Sequence, residues 1–240
     1  MPRLNVKDKR KQQLIDANVV SIAKRGLADT TITHVSEGAN LSRGIVNFYF
    51  DSKEKMMQET LAHLLAEHDA CWQEALNVAA QHSPMEKIQA VMRSLLSDHQ
   101  CSMRRLAAMS AFIAHAGTHA GYAKMLRASD EMFTKQLKQL FQLSGCEAKA
   151  SDLHARQVLS FIRGHHIVAF LNPDWGKPSA FTQMWSDMLR IWTGQGVALQ
   201  PAEKPVIAKA APVQTAAKPK KTNPNTLPGQ LDFADLFAKT

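Results

Sequence analysis

The stretch TITHVSEGANLSRGIVNFYFDSK, residues 31–53, predicts two short helices joined by a tight turn and followed by the start of a third helix. Thr31 is suited to cap the first of these helices. Asn40 is suited to the turn because its short amide tolerates left-handed backbone dihedrals. Ser42 is expected to cap the second helix.

The second of these helices is amphipathic. Its apolar residues Ile45 and Val46 fall on the inner side at helical spacing. A short helix after a tight turn is the geometry with which helix-turn-helix proteins enter the major groove of DNA. The residues left on the outer side are Arg43, Asn47, Phe48 and Tyr49.

A helical corner without any nucleic-acid role is the alternative interpretation, since helix pairs with a short turn are common in all-helical proteins. Basic residues flank the corner, and the stretch ends in the pattern Y-F-x-S-K-E, residues 49–54. Both features favour DNA binding over a purely structural corner.

The run T-I-x-x-V-x-x-x-A-N-L-S-x-G-x-V-x-F-Y-F-x-S-K-E, residues 31–54, resembles the helix-turn-helix of the TetR family of bacterial regulators. The resemblance implies a homodimeric, mostly helical regulator, usually a repressor. Such a regulator reads a palindromic operator and releases it when a small molecule binds its C-terminal domain. The chain departs from the family pattern at His34, where an acidic residue is usual, and at Asn40, where Gly is usual.

Base contacts are predicted from Arg43, Asn47 and Phe48. At the Phe48 position the family commonly has a polar residue or His. Phe48 either contacts a thymine methyl group or packs against the protein itself. Contacts to phosphates supply affinity without sequence information, and they suit basic side chains, hydroxyl groups and backbone at a helix N-terminus. The residues predicted to make them are Arg3, Lys7, Thr31, Ser42, Gly44, Tyr49 and Lys53.

The charge of the chain agrees with a polyanionic partner. The 240 residues carry a formal net charge of +8. Residues 1–55 hold ten Lys and Arg against six Asp and Glu, and residues 200–240 hold six against three. Basicity alone also fits RNA or a membrane surface, so the position of the charge beside the predicted helix-turn-helix is the more specific observation.

The cysteines and the hydropathy pattern indicate a cytoplasmic protein. The predicted DNA binding would place it on the nucleoid. Cys71, Cys101 and Cys146 lie far apart and fit no metal-binding spacing, which is typical of a reduced compartment. No apolar run approaches the ~20 residues that cross a bilayer, and no signal-like segment opens the chain. A membrane partner is not expected.

The predicted fold class is all-α, with a three-helix DNA-binding head before a larger helical domain. Residues 1–55 form the head, and residues 56–197 form an effector-binding and dimerisation domain. The helices predicted after residue 52 span 53 to about 81, 84–99, 102–116, 120–143, 147–171 and 179–194. Asp51 or Ser52 is expected to cap the first of these, with Glu54 returning a capping hydrogen bond. Ser83 and Glu86 are expected to form a capping box at the start of the second.

Two segments follow the helical domain. Residues 198–226 are rich in Pro, Ala and Lys and are predicted to be disordered. Residues 227–240 form a short amphipathic tail segment, in which 227–237 either docks on a protein partner or folds back on its own domain.

The last two predicted helices carry apolar residues on more than one side, which favours a twofold four-helix interface between two copies of the chain. The alternative is that the second side lies under other helices of the same subunit. The interface residues predicted from this pattern are Phe161, Val168, Phe181, Trp185, Met188 and Trp192.

The sequence identifies the effector site less clearly than it identifies the helix-turn-helix. Residues 101–143 resemble, more weakly, the C-terminal domain of the BetI-like branch, regulators of choline and betaine metabolism. Where that branch tends to be aromatic, residues 163–167 are Arg-Gly-His-His-Ile. Aromatic side chains at helical spacing either wall a cage for a cation or belong to an ordinary core. The candidate pocket residues are Trp72, Phe112, His115, Tyr122 and Phe133.

No cofactor is expected beyond an unidentified small-molecule effector. His115 and His119 stand four apart, but Gly117 lies between them, so a shared metal site is disfavoured. No phosphate-binding glycine loop, nucleophile elbow or H-E-x-x-H pattern is present, which argues against an enzyme. The remaining alternative is a nucleoid-type protein that binds DNA through its basic ends with little sequence preference.

Overall fold

The computed structural model of the chain describes residues 6–176, and all regular secondary structure within that range is helical. Eight α-helices are followed by a short 3-10 turn, Pro173–Gly176. The all-α prediction is therefore confirmed. The helices are α1 (Val6–Asp29), α2 (Ile32–Gly38), α3 (Arg43–Tyr49), α4 (Lys53–Val78), α5 (Pro84–Leu95), α6 (Met103–His115), α7 (Ala120–Leu143) and α8 (Ala148–Leu171).

The predicted helix boundaries are close to those observed. The helix predicted over 120–143 has the bounds of α7. Helix α5 ends at Leu95, short of the predicted residue 99, because the chain turns there: Ser97 N–H donates to the carbonyl of Ser94, and Cys101 N–H to that of Ser97. The predicted helix 179–194 and the predicted segments 198–226 and 227–240 lie outside the described residues.

Local chemistry explains where several helices begin and end. The hydroxyl of Thr31 accepts a hydrogen bond from His34 N–H, as the cap prediction requires. Asn40 has φ 52°, which makes it the one non-glycine residue with positive φ among residues 6–176. Ser83 and Glu86 form a reciprocal capping box at the start of α5.

Two cap predictions need correction. Ser42 occupies the N-cap position of α3, but its side chain makes no capping hydrogen bond. Ser52 caps α4 by accepting from Lys55 N–H. Glu54 was expected to return a capping bond there, but it lies one position too early in the helix, and its carboxylate points to α7 instead.

A single buried cluster, here called the shared core, holds the first four helices together and continues into α6 and α7. Burial of these apolar side chains is the main stabilising term, at ~25 cal/mol per Å² of apolar surface. The cluster means that the core of the head does not stop at the predicted domain boundary after residue 55. Its members include Leu14 and Ile22 of α1, Val35 of α2, Val46 of α3, Met56, Leu61, Leu64 and Leu65 of α4, Ala108 and Phe112 of α6, and Tyr122 and Leu126 of α7.

A second cluster, here called the distal core, packs the far half of α4 against α5, α7 and α8. Helices α4 and α7 therefore take part in both clusters, with their N-terminal halves in the shared core and their C-terminal halves in the distal core. The distal core includes Trp72, Ile88, Met92, Leu95, Phe133, Leu137, Leu140, Phe141, Val158 and Ile162.

We predict that Asn40→Ala lowers the free energy of unfolding by about 1 kcal/mol, because a Cβ-bearing side chain without a local hydrogen-bonding group disfavours positive φ. Asn40→Gly is expected to be neutral or stabilising at the same position. Urea unfolding of the two variants beside the unmodified chain measures the difference. Equal stability of the Ala and Gly variants would contradict the role of this backbone conformation.

Candidate nucleic-acid interface and ligand cavity

Helix α3 presents the outer face that the sequence predicts. Arg43 and Asn47 are exposed, and the ring of Phe48 is 72% exposed, whereas Val46 is fully buried in the shared core. Phe48 therefore does not pack into the protein, which removes one of the two alternatives for this residue. Its contact with a base stays a prediction.

Two neighbours support the Phe48 ring. Tyr49 is half-buried against the shared core, and its ring meets that of Phe48 edge to face with centroids 5.2 Å apart. The ammonium group of Lys7 lies 5.9 Å from the centroid of the Phe48 ring. The start of α1 thus brings a positive charge to the outer face of α3, as expected of a phosphate contact beside a reading helix.

The other residues predicted to contact the phosphate backbone of DNA differ in whether their side chains are already engaged within the protein. Apart from the chain neighbours and the backbone of α3 itself, the nearest described atom to a Cβ built on Gly44 would be Ser42 Oγ at 3.8 Å, so packing within the protein does not require glycine there. Lys53 is already engaged, since its ammonium group donates to the carbonyl of Ala28 at 2.8 Å. Thr31 uses its hydroxyl as a cap acceptor. Arg3 lies outside the described residues.

A polar cluster joins the first turn of α4 to the start of α7. The carboxylate of Glu54 accepts hydrogen bonds from Gln58 Nε2 at 2.9 Å and from the Tyr122 hydroxyl at 3.2 Å. Burial, together with the nearby Glu54 carboxylate, raises the pKa of Tyr122 to about 12, so the hydroxyl remains a donor at neutral pH. Sequence reasoning missed this contact because it joins residues 68 positions apart.

The histidines that suggested a metal pair have separate roles. His119 caps α7 by accepting from Tyr122 N–H through Nδ1, so its proton is on Nε2, 3.0 Å from the Glu54 carboxylate. Its ring also stacks on Tyr122 at 3.7 Å. His115 is exposed, and its Nδ1 lies 2.9 Å from the carbonyl of Ala111. The described residues contain no group of three side chains placed to hold a metal ion.

A cavity of about 280 Å³ lies between α4, α6, α7 and α8. Apolar side chains make up much of its wall, and no Phe, Tyr or Trp is among the described residues that line it. These lining residues are Leu65, His68, Gln100, Arg105, Leu106, Met109, Ser110, Ile113, Leu126, Asp130, Arg163, His166 and Ile167.

The charged groups on the cavity wall are paired. Arg105 is 7% exposed, and its guanidinium donates to the Glu67 carboxylate at 2.5 Å and to the carbonyl of Leu64 at 2.6 Å. Burial lowers the pKa of Arg105, and the Glu67 carboxylate opposes that shift. Across the cavity, Arg163 donates to Asp130 at 2.5 Å. Each cation therefore already has a carboxylate partner.

Two neutral groups contribute hydrogen-bond acceptors. Gln100 is 2% exposed, and its Oε1 has no hydrogen-bond partner among residues 6–176. The Nε2 of His166 lies 3.1 Å from the carbonyl of Leu95, and since a carbonyl only accepts, Nε2 carries the proton and Nδ1 is left as an acceptor. Burial lowers the pKa of His166 to about 4, so the ring is neutral near pH 7.

The five predicted pocket residues do not line this cavity. Phe112 and Tyr122 pack edge to face in the shared core with centroids 5.2 Å apart, and Trp72 and Phe133 pack in the distal core at 5.7 Å. His115 is exposed at the end of α6. The aromatic cage is therefore not formed, because these rings are needed in two separate cores.

A different sequence signal marks the cavity. Arg163 and His166 stand in the mostly apolar C-terminal half of α8, residues 158–171, where packing alone would not require them. Arg105 interrupts the apolar side of α6 in the same way. Polar residues on buried helix faces were thus a better indicator of the cavity than aromatic ones.

The predicted dimer surface is only partly within the described residues. Phe161 and Val168 are half-buried on α8, and Phe161 packs against the distal core. The other four residues of that prediction, Phe181, Trp185, Met188 and Trp192, lie outside the described range. The homodimer interface stays a prediction. Within residues 6–176, none of the helices combines the length and apolar character needed to cross a bilayer.

Family models match two parts of the chain. Residues 14–60 match the model described as bacterial regulatory proteins of the tetR family. Residues 84–191 match the model described as the C-terminal part of BetI-type transcriptional repressors. The first match contains the helix-turn-helix, and the second contains most of the residues that line the cavity.

Curated relatives match about half of their own length. The chain is 35% identical over 102 residues to the HTH-type transcriptional regulator BetI of Burkholderia ambifaria, covering 42% of this chain and 52% of the relative. It is 36% identical over 104 residues to the protein of the same name from Burkholderia thailandensis, with the same coverage. The chain thus spans about half the length of the curated relatives it matches.

Solved structures share the fold at low sequence identity. A putative transcriptional regulator from Pseudomonas aeruginosa PAO1 has a TM-score of 0.68 at 19% identity, covering 80% of this chain and 92% of that one. A regulator from Rhodococcus sp. Rha1 has a TM-score of 0.65 at 22% identity, covering 77% and 94%. A putative regulator from Saccharomonospora viridis, solved in complex with choline, has a TM-score of 0.65 at 10% identity, covering 76% and 96%.

The buried histidines predict a pH dependence of stability. Burial lowers the pKa of both His165 and His166 from 6.5 to about 4. The unfolded chain therefore takes up protons near pH 6.5 that the folded chain does not bind until about pH 4, so the free energy of unfolding falls as the pH falls through that window. Urea unfolding at about pH 7 and about pH 5 measures the change. The double variant His165→Gln, His166→Gln is expected to lose less stability between the two pH values, and an unchanged slope would contradict the assignment.

Proposed function

This chain belongs to the TetR family of bacterial transcriptional regulators, and we propose that it is a homodimeric repressor. In this proposal each protomer inserts α3 into the major groove of a palindromic operator, and a small molecule in the cavity releases the DNA. The observation that carries it is the outer face of α3, where Arg43, Asn47 and Phe48 are exposed while Val46 anchors the helix in the shared core.

Base recognition follows from the chemistry of that face. Asn47 suits adenine, which a side-chain amide recognises through two hydrogen bonds, and Arg43 suits guanine. The exposed ring of Phe48 suits the methyl group of thymine. Lys7, Thr31, Ser42, Gly44 and Tyr49 are proposed to hold the phosphate backbone on either side.

Lys53 is proposed to contribute to DNA binding mainly by holding the start of α4 in place. Its ammonium group holds the carbonyl of Ala28, which fixes the first turn of α4 against the end of α1. The remaining N–H groups of that ammonium are available to a phosphate at the helix N-terminus. A change at Lys53 therefore alters both protein structure and DNA contact, so Lys53 is a poor site for testing DNA contact alone.

Residues that belong both to the cavity wall and to the shared core support the proposed release of DNA by a ligand. Leu65 and Leu126 line the cavity and are members of the shared core that also buries Val46 of α3. Met109 lines the cavity and packs against the same core. A ligand that displaces α4, α6 or α7 therefore acts on the packing that positions α3.

The contacts of Glu54 provide a second connection between the cavity and α3. Tyr122 stands one turn before Leu126 on α7, and its hydroxyl donates to Glu54 in the first turn of α4. A shift of α7 caused by a ligand against Leu126 therefore pulls on the start of α4, directly after α3. The structural neighbour that holds choline supports a small-molecule site in this type of fold, although its ligand is not assigned to this chain.

A nucleoid-type protein with relaxed specificity is the second candidate, because ten Lys and Arg lie within residues 1–55. Such a protein would bind random DNA almost as tightly as any chosen site, with a steep dependence on salt. Selecting protected fragments from genomic DNA, followed by competition with random DNA at fixed salt, distinguishes the two. The repressor proposal expects specific binding that survives a large excess of random competitor.

We predict that Asn47→Ala relaxes specificity at one operator position by about 1–3 kcal/mol while binding to random DNA changes little. Gly44→Ala is the matched comparison, because the added methyl group fits the free protein but blocks close approach of the backbone to a phosphate. It should weaken operator and random DNA alike. Titrations of both variants against a set of single-base operator variants measure these effects, and equal losses for operator and random DNA in the Asn47 variant would contradict base recognition.

A further inference from the structure

We propose that the cavity binds a small, electrically neutral aliphatic molecule that donates a hydrogen bond, with a short-chain alcohol as the simplest example. The inference rests on the proposed function only in treating this cavity as the effector site. It specifies the chemical class of the effector, and it favours a neutral ligand over a quaternary ammonium ion or a carboxylate.

The wall and size of the cavity favour an aliphatic body. A volume of about 280 Å³ lies near the lower end of the ~300–1,000 Å³ that small-molecule sites occupy, which indicates a ligand of few atoms. Branched and flexible aliphatic side chains surround the space and favour an alkyl chain by burial of apolar surface. They are Leu65, Leu106, Met109, Ile113, Leu126 and Ile167.

The charges on the wall disfavour an ionic ligand of either sign. Arg105 is paired with Glu67, and Arg163 is paired with Asp130. A cationic ligand would have to share Asp130 with Arg163, and an anionic ligand would have to displace Asp130 and then lie beside it. Burying a charge without a partner of its own is costly. The existing pairs therefore leave the cavity best suited to a neutral molecule.

On the wall formed by the described residues, a quaternary ammonium ion also lacks its usual partners. Such ions are bound by the faces of Trp, Tyr and Phe rings, and none of these residue types is among the described residues of the wall. The aromatic rings nearest in sequence, Phe112 and Tyr122, are packed against each other in the shared core.

The acceptors of the cavity call for a donor on the ligand. The Oε1 of Gln100 is buried without a hydrogen-bond partner in the described part of the chain, and His166 leaves its Nδ1 as an acceptor. A buried acceptor without a partner costs roughly 1–3 kcal/mol. Gln100 lines the cavity, so a small rotation of its amide would expose Oε1 to a ligand O–H or N–H and remove that cost, whereas an ether or a trimethylammonium group offers no such hydrogen.

The test compares probes that have the same number of non-hydrogen atoms: 1-hexanol, methyl pentyl ether, choline and pentanoate. Calorimetric titration of the full chain, without DNA, is expected to show 1-hexanol as the tightest ligand. The ether should bind about tenfold more weakly, because loss of one hydrogen bond to a buried acceptor amounts to about a factor of ten. Choline and pentanoate should show no saturable binding at concentrations that saturate with hexanol.

Gln100→Leu replaces the acceptor with an apolar side chain of similar size. The preference for the alcohol over the ether should then shrink, and His166 Nδ1 is the acceptor that remains. Gln157→Leu makes the same change on α8 away from the cavity and should leave the preference for the alcohol intact. Should the Gln100 variant fail to fold, the comparison of the four probes on the unmodified chain still decides.

Tightest binding by choline or pentanoate, equal binding of alcohol and ether to the unmodified chain, or no binding of any probe would overturn the proposal. Because these titrations contain no DNA, they are independent of the repressor proposal. Saturable hexanol binding that leaves operator affinity unchanged would support the ligand class and contradict ligand-induced release.

Discussion

The packing of one continuous hydrophobic core determines both where α3 lies and how the cavity is shaped. Val46 of α3 is buried in the same cluster as Leu65 of α4 and Leu126 of α7, and the latter two also line the cavity. Closely packed interiors transmit small displacements because they contain few voids to absorb them. The DNA-binding surface and the ligand site are therefore mechanically connected, even though they lie on different helices.

A hydrogen bond between α7 and α4 also contributes to that connection. The carboxylate of Glu54, in the first turn of α4, receives hydrogen bonds from Gln58 and from Tyr122 of α7. The Gln58 bond lies within α4, whereas the Tyr122 bond joins α7 to α4 and ties the first turns of these two helices together. A shift of α7 thus reaches the residues that directly follow α3.

Sequence reasoning succeeded where a local interaction decides the structure. The positive φ of Asn40, the capping box of Ser83 and Glu86, and the helix over 120–143 each depend on residues close in sequence. It failed where the decisive partner lies far along the chain. Local spacing predicts a cap role for Glu54, whereas its observed partner Tyr122 is 68 positions away. Helical spacing of the aromatic residues predicts a pocket, but their division between two cores is a property of the tertiary packing.

The most direct test of the shared core is a comparison of operator affinity between Leu126→Ala and Leu140→Ala. Both leucines lie on α7 and are 7% and 5% exposed, but Leu126 belongs to the shared core and Leu140 to the distal core. Each variant is expected to lose about 2–5 kcal/mol of stability, and affinity is measured where both are folded and dimeric. Leu126→Ala is expected to lower operator affinity at least about fivefold more than Leu140→Ala does. Equal operator affinities for the two variants would contradict it.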